Sequence, residues 1–192
     1  MKRLVFRLIL LLCALLSAPA QTTELTLAEL MKSLSGVSAI SAHFRETKEL
    51  AMLQEPLYAS GILRYRAPDY VKKQTLLPQS ESLEIQGDEV LIDHPEKGRH
   101  QLSLDDYPAI RAFVESFRAT LAGDTTTLER YYRVLLTGDA AAWRLHLEPR
   151  ESEMAEIIEA IFIQGEGDRI LTIETQETNG DRSVMTITPI NE

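Results

Sequence analysis

Four histidines, His43, His94, His100 and His146, are the side chains best suited to hold a metal or move a proton near neutral pH. They show neither the i, i+4 pairing of a ligand-bearing helix nor the short loop spacing of a metal knuckle, so no metal site is expected. His146 falls on the polar side of a strand whose other side carries Trp143, Leu145 and Leu147, and reads as a solvated residue. Asp105 and Asp106 could form a carboxylate pair, but they stand just before a helical stretch, where acids are favoured as caps and by the helix dipole. Ser183 and His146 are candidates for nucleophile and base that nothing links in sequence. There is no G-x-S-x-G element, phosphate-cradling glycine loop or dinucleotide fingerprint. The Gly-Asp pairs at 87–88, 167–168 and 180–181 fit hairpin turns without calcium. The expectation is a protein with no catalytic residue and no cofactor, which binds without making or breaking a bond.

The elements that would position a binding surface are strongly patterned. Leu27, Leu30, Met31 and Leu34 recur at helical spacing, with Thr26 and Glu29 set as a capping box and Gly36 as a stop, which predicts a helix from Thr26 to Ser35. From Ala39 the period changes to two, and strands are predicted at 39–51, 57–66, 69–77, 82–86, 89–93 and 98–103, with prolines confined to the joints. Helical spacing returns from Pro108 to Leu121, where Ile110, Phe113, Val114, Phe117 and Leu121 share one face and Arg111, Glu115 and Arg118 the other. Gly123 ends this helix and a short one follows from Thr125. Strands resume at 131–137, 143–148, 156–164, 169–178 and 183–188. Short gaps favour antiparallel neighbours, so the fold class is α+β: an incomplete, half-open antiparallel β-barrel of ten or eleven strands with helices over its concave face.

The first twenty residues read as a signal peptide, with Lys2, Arg3 and Arg7 ahead of an apolar run and Ala18-Pro19-Ala20 at the cut. Residues 21–192 then form one domain in the periplasm, since no later run is long enough to span a bilayer as a helix. Cys13, the sole cysteine, leaves with the signal, which excludes disulfides. Its removal takes three basic and no acidic residues, moving the formal charge from −9 to −12. So acidic a chain does not suit nucleic acid.

The order of these elements carries a resemblance. An exported chain with an N-terminal helix, a first strand containing Phe44-Arg45-Glu46, a second containing Gly61-Ile62-Leu63-Arg64-Tyr65-Arg66-Ala67-Pro68, further hairpins and a helix before the closing strands resembles the LolA family of periplasmic outer-membrane lipoprotein carriers. The similarity covers nearly the whole chain after the signal. Glu46 stands where the family has Gln, and Ala67 where it has the Arg before Pro, with Arg66 one place earlier as a candidate lid contact on the opposite strand face. The ending Gly180-Asp181-Arg182-Ser183-Val184-Met185-Thr186-Ile187 looks like the divergent relatives of that family.

The resemblance implies an apolar hollow that shields the acyl chains of a lipid or lipoprotein between inner and outer membranes, with an inner-membrane donor and an outer-membrane acceptor as partners. At about 0.8 kcal/mol per methylene, roughly fifteen methylenes need on the order of 12 kcal/mol of replacement contacts to cross water. Candidate lining residues are Leu27, Leu30, Ile110, Phe113 and Phe117 on the helices and Phe44, Leu63, Tyr65, Leu83, Trp143, Leu145, Ile173 and Met185 on the strands, each of which would serve equally as plain core. The chain is expected to be a monomer that does not integrate into membranes. The alternative is a periplasmic sensor or protein-binding module on the same fold, with no transported cargo.

Overall fold

The structure, a computed structural model, describes residues 25–190, so the expected signal segment 1–20 lies outside the described residues. In chain order it contains α1 (Leu27–Leu34), β1 (Ala39–Glu49), β2 (Leu57–Arg66), β3 (Tyr70–Leu77), β4 (Glu81–Gln86), β5 (Glu89–His94) and β6 (Gly98–Ser103). A 3-10 turn (Leu104–Asp106), α2 (Pro108–Ala122) and α3 (Thr125–Tyr131) then lead to β7 (Tyr132–Asp139) and β8 (Ala142–Pro149). The chain closes with α4 (Ser152–Ala155), β9 (Ile158–Glu166), β10 (Arg169–Glu177) and β11 (Arg182–Pro189). Every expected strand is present to within two residues at its ends. The short helix α4 was not foreseen, because four residues are too few for a period to register.

The helix ends show where local chemistry acts. The capping box at α1 is formed: the Glu29 amide donates to Thr26 Oγ1 at 3.3 Å and the Thr26 amide donates to Glu29 Oε2 at 2.9 Å. The expectation that Asp105 and Asp106 cap the second helix is corrected, since Tyr107 occupies the N-cap of α2 and makes no side-chain cap bond. Asp105 instead lies in the 3-10 turn and takes the Arg111 guanidinium at 2.5 Å. Gly123 closes α2 in the left-handed conformation, φ 67°, which glycine adopts without strain.

All eleven strands belong to one antiparallel sheet with the order β6-β5-β4-β3-β2-β1-β11-β10-β9-β8-β7. It consists of two meanders, β1–β6 and β7–β11, stitched together where β1 pairs with β11. Strands β6 and β7 are the two edges and do not pair, so the barrel is incomplete as expected. The chain must travel from one edge to the other between them, and the 3-10 turn, α2 and α3 make that crossing over the inner face.

Period-two alternation selects which side chains face the helices. Trp143, Leu145 and Leu147 of β8 and Ile161 and Ile163 of β9 pack with Leu30, Met31 and Leu34 of α1, Ala112 and Ala119 of α2, Leu128 of α3 and Met154 of α4. A smaller cluster, Ile85, Val90, Leu104 and Val114, lies under the other side of α2. Close approach is made possible by glycine: a Cβ on Gly165 would fall within 2.3 Å of the Trp143 ring, and one on Gly61 within 2.9 Å of the Phe44 ring.

Candidate functional site

Between the two clusters, the inner face of the sheet can be read row by row from its register. One row runs Leu136, Leu145, Ile163, Ile173, Met185, Glu46 and Ala59 across β7 to β2. Beyond the intervening row of Phe44, Gly61 and Thr75, another runs Ala42, Leu63, Lys73, Leu83, Ile92 and His100 across β1 to β6. The ends of these rows differ in cover: Leu145 and Ile163 are fully buried, whereas Ile173, Met185, Leu63 and Leu83 remain half-buried. This middle stretch is an apolar floor that no helix covers completely.

Helix α2 forms the roof. Its small side chains Ala112, Ser116, Ala119 and Thr120 are buried against the other helices, and Ser116 and Thr120 satisfy their hydroxyls on carbonyls of their own helix. Phe113 and Phe117, one turn apart, stay half-buried with rings edge to face at a centroid distance of 4.9 Å. Two contacts fix the helix. Tyr132 donates its hydroxyl to the Ala112 carbonyl at 3.2 Å, and Arg118 donates to the carbonyls of Asp69, at 3.1 Å, and Gly87, while pairing with Glu115 at 3.0 Å. Burial pushes the Tyr132 phenol far up, so it is a permanent donor here.

Charge enters this floor at Glu46 and Lys73. The Lys73 ammonium donates to Glu46 Oε2 at 2.6 Å, Ser183 Oγ donates to Glu46 Oε1 at 2.8 Å, and Lys48 Nζ lies 3.7 Å from the same Oε1. Lys73 also sits 5.1 Å from the centroid of the Phe44 ring. Burial alone would raise the Glu46 carboxyl, but the attraction and hydrogen bond of Lys73, helped by Lys48 and Ser183, hold it below its ordinary value. Further along the face, the Tyr65 hydroxyl is buried with no partner among the described residues.

The candidate residues separate by burial. Leu30, Phe44, Tyr65, Trp143 and Leu145 are buried in the packed interior. Leu27, Leu63, Leu83, Phe113, Phe117, Ile173 and Met185 are half-buried, and all of these strand positions lie on the inner face. Ile110 is 42% exposed and stands apart from them. Arg66 is exposed, with its guanidinium 4.6 Å above the Tyr70 ring, and the arginine that touches α2's surroundings is Arg118, which the helical period had put on the polar face. Glu46 and Lys73 were missed as a pair. The adjacent lysines 72 and 73 held the signal, because in a strand one of two neighbours must point inward: Lys72 meets Glu84 on the outer face at 2.8 Å.

The outer face is chemically distinct. His146 is half-buried rather than solvated, stacked on Phe162 at 4.6 Å beside a depression of about 510 Å³ that Glu148 and Gln176 also line. No group of three or more possible metal ligands occurs among the described residues. Ser183 bonds Glu46 on the inner face while His146 lies on the outer, so the two cannot act together.

Residues 18–188 match the family model described as outer membrane lipoprotein carrier protein LolA-like. No curated protein sequence matches the chain. Among solved structures it is similar to a LolA superfamily protein from Nitrosomonas europaea, at 7% identity over 88% of this chain and 94% of that one, with a TM-score of 0.44. It is similar also to a DUF1329 family protein from Desulfovibrio piger, at 11% identity over 84% and 88% of the two chains and a TM-score of 0.48. A chain of the MucA/MucB complex of Pseudomonas aeruginosa is similar at 11% identity over 86% of this chain and 56% of that one, with a TM-score of 0.48.

Proposed function

This chain belongs to the LolA-like outer membrane lipoprotein carrier family, and from that premise we propose that it is a periplasmic carrier of acyl chains. The cargo, a lipid or an acylated protein, is taken from an inner-membrane donor, shielded between α2 and the inner face of the sheet, and surrendered to an acceptor at the outer membrane. No bond of the cargo is made or broken. One observation carries the reading: an apolar floor with Leu63, Leu83, Ile173 and Met185 only half-buried lies on the same face as an aromatic pair, Phe113 and Phe117, that is equally unfinished. Apolar surface left half in water is costly, at about 25 cal/mol per Å², and an alkyl chain laid along it recovers that cost. Release requires α2 to move, and the polar contacts of Arg118 and Tyr132 are of a kind that can break and re-form.

A second reading, a protein-binding module without cargo, draws on the end of the sheet where Met52, Leu53, Tyr58 and Leu77 project into solvent, Met52 at 87% exposure. Native mass spectrometry of the protein purified gently from its own periplasm, followed by solvent extraction, separates the two. The carrier reading expects a stoichiometric acylated species or, for empty protein, uptake of an added acyl probe. Empty protein that takes up no probe leaves the protein-binding module as the better account.

A further inference from the structure

The two rows of the apolar floor are each interrupted by one charge. Lys73 lies between Leu63 and Leu83, Glu46 between Ala59 and Met185, and the side chains meet over the row of Phe44 and Gly61 that separates them. Glu46 is 6% exposed and both of its oxygens are engaged, one by Lys73 and the other by Ser183 and Lys48. Lys73 is 23% exposed, and of its three N–H donors one goes to Glu46, with no second acceptor among the described residues. Lys48 is more open still. Glu81, opposite Thr75 two positions along β3 from Lys73, is exposed and meets the Thr75 hydroxyl at 3.4 Å.

For stability alone, this arrangement is a poor choice. Burying the Glu46 carboxylate carries a desolvation cost, replacing such a pair by apolar side chains of similar size is often neutral or stabilising, and the rows on either side are already apolar. What the ions provide is a local excess of positive charge: two ammonium groups share the Glu46 carboxylate, while Glu81, the other carboxylate of this part of the face, meets the Thr75 hydroxyl and pairs with neither lysine. Each carboxylate oxygen already accepts one hydrogen bond, and the carboxylate holds the Lys73 ammonium beside the Phe44 ring.

We propose that Lys73 and Lys48, positioned by Glu46 and Ser183, form a head-group subsite, so that the preferred cargo is an acyl chain ending in an anionic head, a carboxylate or a phosphate. The head is held by the two ammonium groups while the chain lies along Leu63, Leu83 and Met185. The subsite rests on the acyl-carrier reading and narrows it, because a purely apolar groove would not distinguish an acid from an alcohol of the same length.

The test titrates the full mature protein with hexadecanol, hexadecanoate and hexadecyl phosphate by calorimetry, at one pH and one salt concentration. The subsite predicts that at least one anion binds about tenfold tighter than the alcohol, and the tighter anion names the head chemistry. In the Lys73→Met/Glu46→Gln variant, which leaves no unpaired buried carboxylate, and in Lys73→Met/Lys48→Met, that ratio falls to about twofold or less, with a denaturant midpoint confirming that each variant folds. Hexadecanol binding as tightly as both anions, or a preference that survives in both folded variants, overturns the subsite and leaves the carrier intact. Binding of none of the three overturns the carrier reading and the subsite with it.

Discussion

Strands β7 to β10 and strands β1 to β5 share one sheet and one twist, yet they bury their inner faces to different depths. On the first side, Trp143, Leu145, Leu147, Ile161 and Ile163 are closed over by side chains from all four helices. On the second, Ala42, Phe44, Tyr65, Ile85 and Val90 are buried too, the last two under Val114 of α2, but Leu63, Leu83 and Ile92 between them stay half open. The difference follows from where the helices go. Small side chains on one face of α2 draw α1, α3 and α4 to the same side of it, so three of four helices crowd above β7–β10 and α2 alone overhangs the rest. One half of the molecule is thus sealed by helices, and the other is covered only in part.

The same substitution on the two sides puts that contrast at risk most directly. Leu145→Ala, in the closed half, is expected to cost about 2–5 kcal/mol in a denaturant melt, whereas Leu63→Ala, in the open half, costs about 1 kcal/mol and lowers affinity for an acyl probe. Equal costs for the two leucines would mean that both halves are core. Next in size is Arg118→Met. It leaves the carbonyls of Asp69 and Gly87 without their guanidinium, which costs about 1–3 kcal/mol and speeds amide exchange in the second half of α2 before it affects β8.

The smallest expected effect is on pH dependence. Because the folded protein holds the Glu46 carboxyl below its ordinary value of 4.5, the stability it contributes is complete above that pH and drains away as pH falls through the lowered native value. Acid titration of Glu46→Gln, followed by circular dichroism, should show a shallower loss of stability over that window. An unchanged acid limb would show that the ion pair is as solvated as a surface one, and the open half would then lack its charged centre.

Much of this was legible beforehand, for reasons that particular residues make plain. The strands were readable because alternations such as Trp143, Leu145 and Leu147 hold over a full strand, and turn residues such as Gly87-Asp88 separate them. Helix α2 was readable from Phe113 and Phe117, but its depth was not: Arg118 belongs to the polar stripe by period and is buried because carbonyls from two distant turns converge on it. Nor could spacing say which of the chosen apolar residues would be sealed and which left open, since Leu145 and Leu63 both stand on the inward side of a strand and their burial is decided by what lies above them. The Glu46–Lys73 pair bridges 27 positions and depends on register across two hairpins, which no local signal encodes.

The seam between β1 and β11 has a kinetic meaning. Each meander can assemble from neighbours in sequence, one hairpin at a time, but the bond from Ser183 to Glu46 joins residues 137 positions apart. Contacts of such long range pay the largest loop-closure entropy and form late. The part of the proposed floor that lies on that seam, Met185 and the Ser183 bond to Glu46, is therefore finished only when nearly the whole chain is in place. On the carrier reading, a partly folded molecule has its two wings but an unfinished floor, and ligand binding becomes a report that folding is complete.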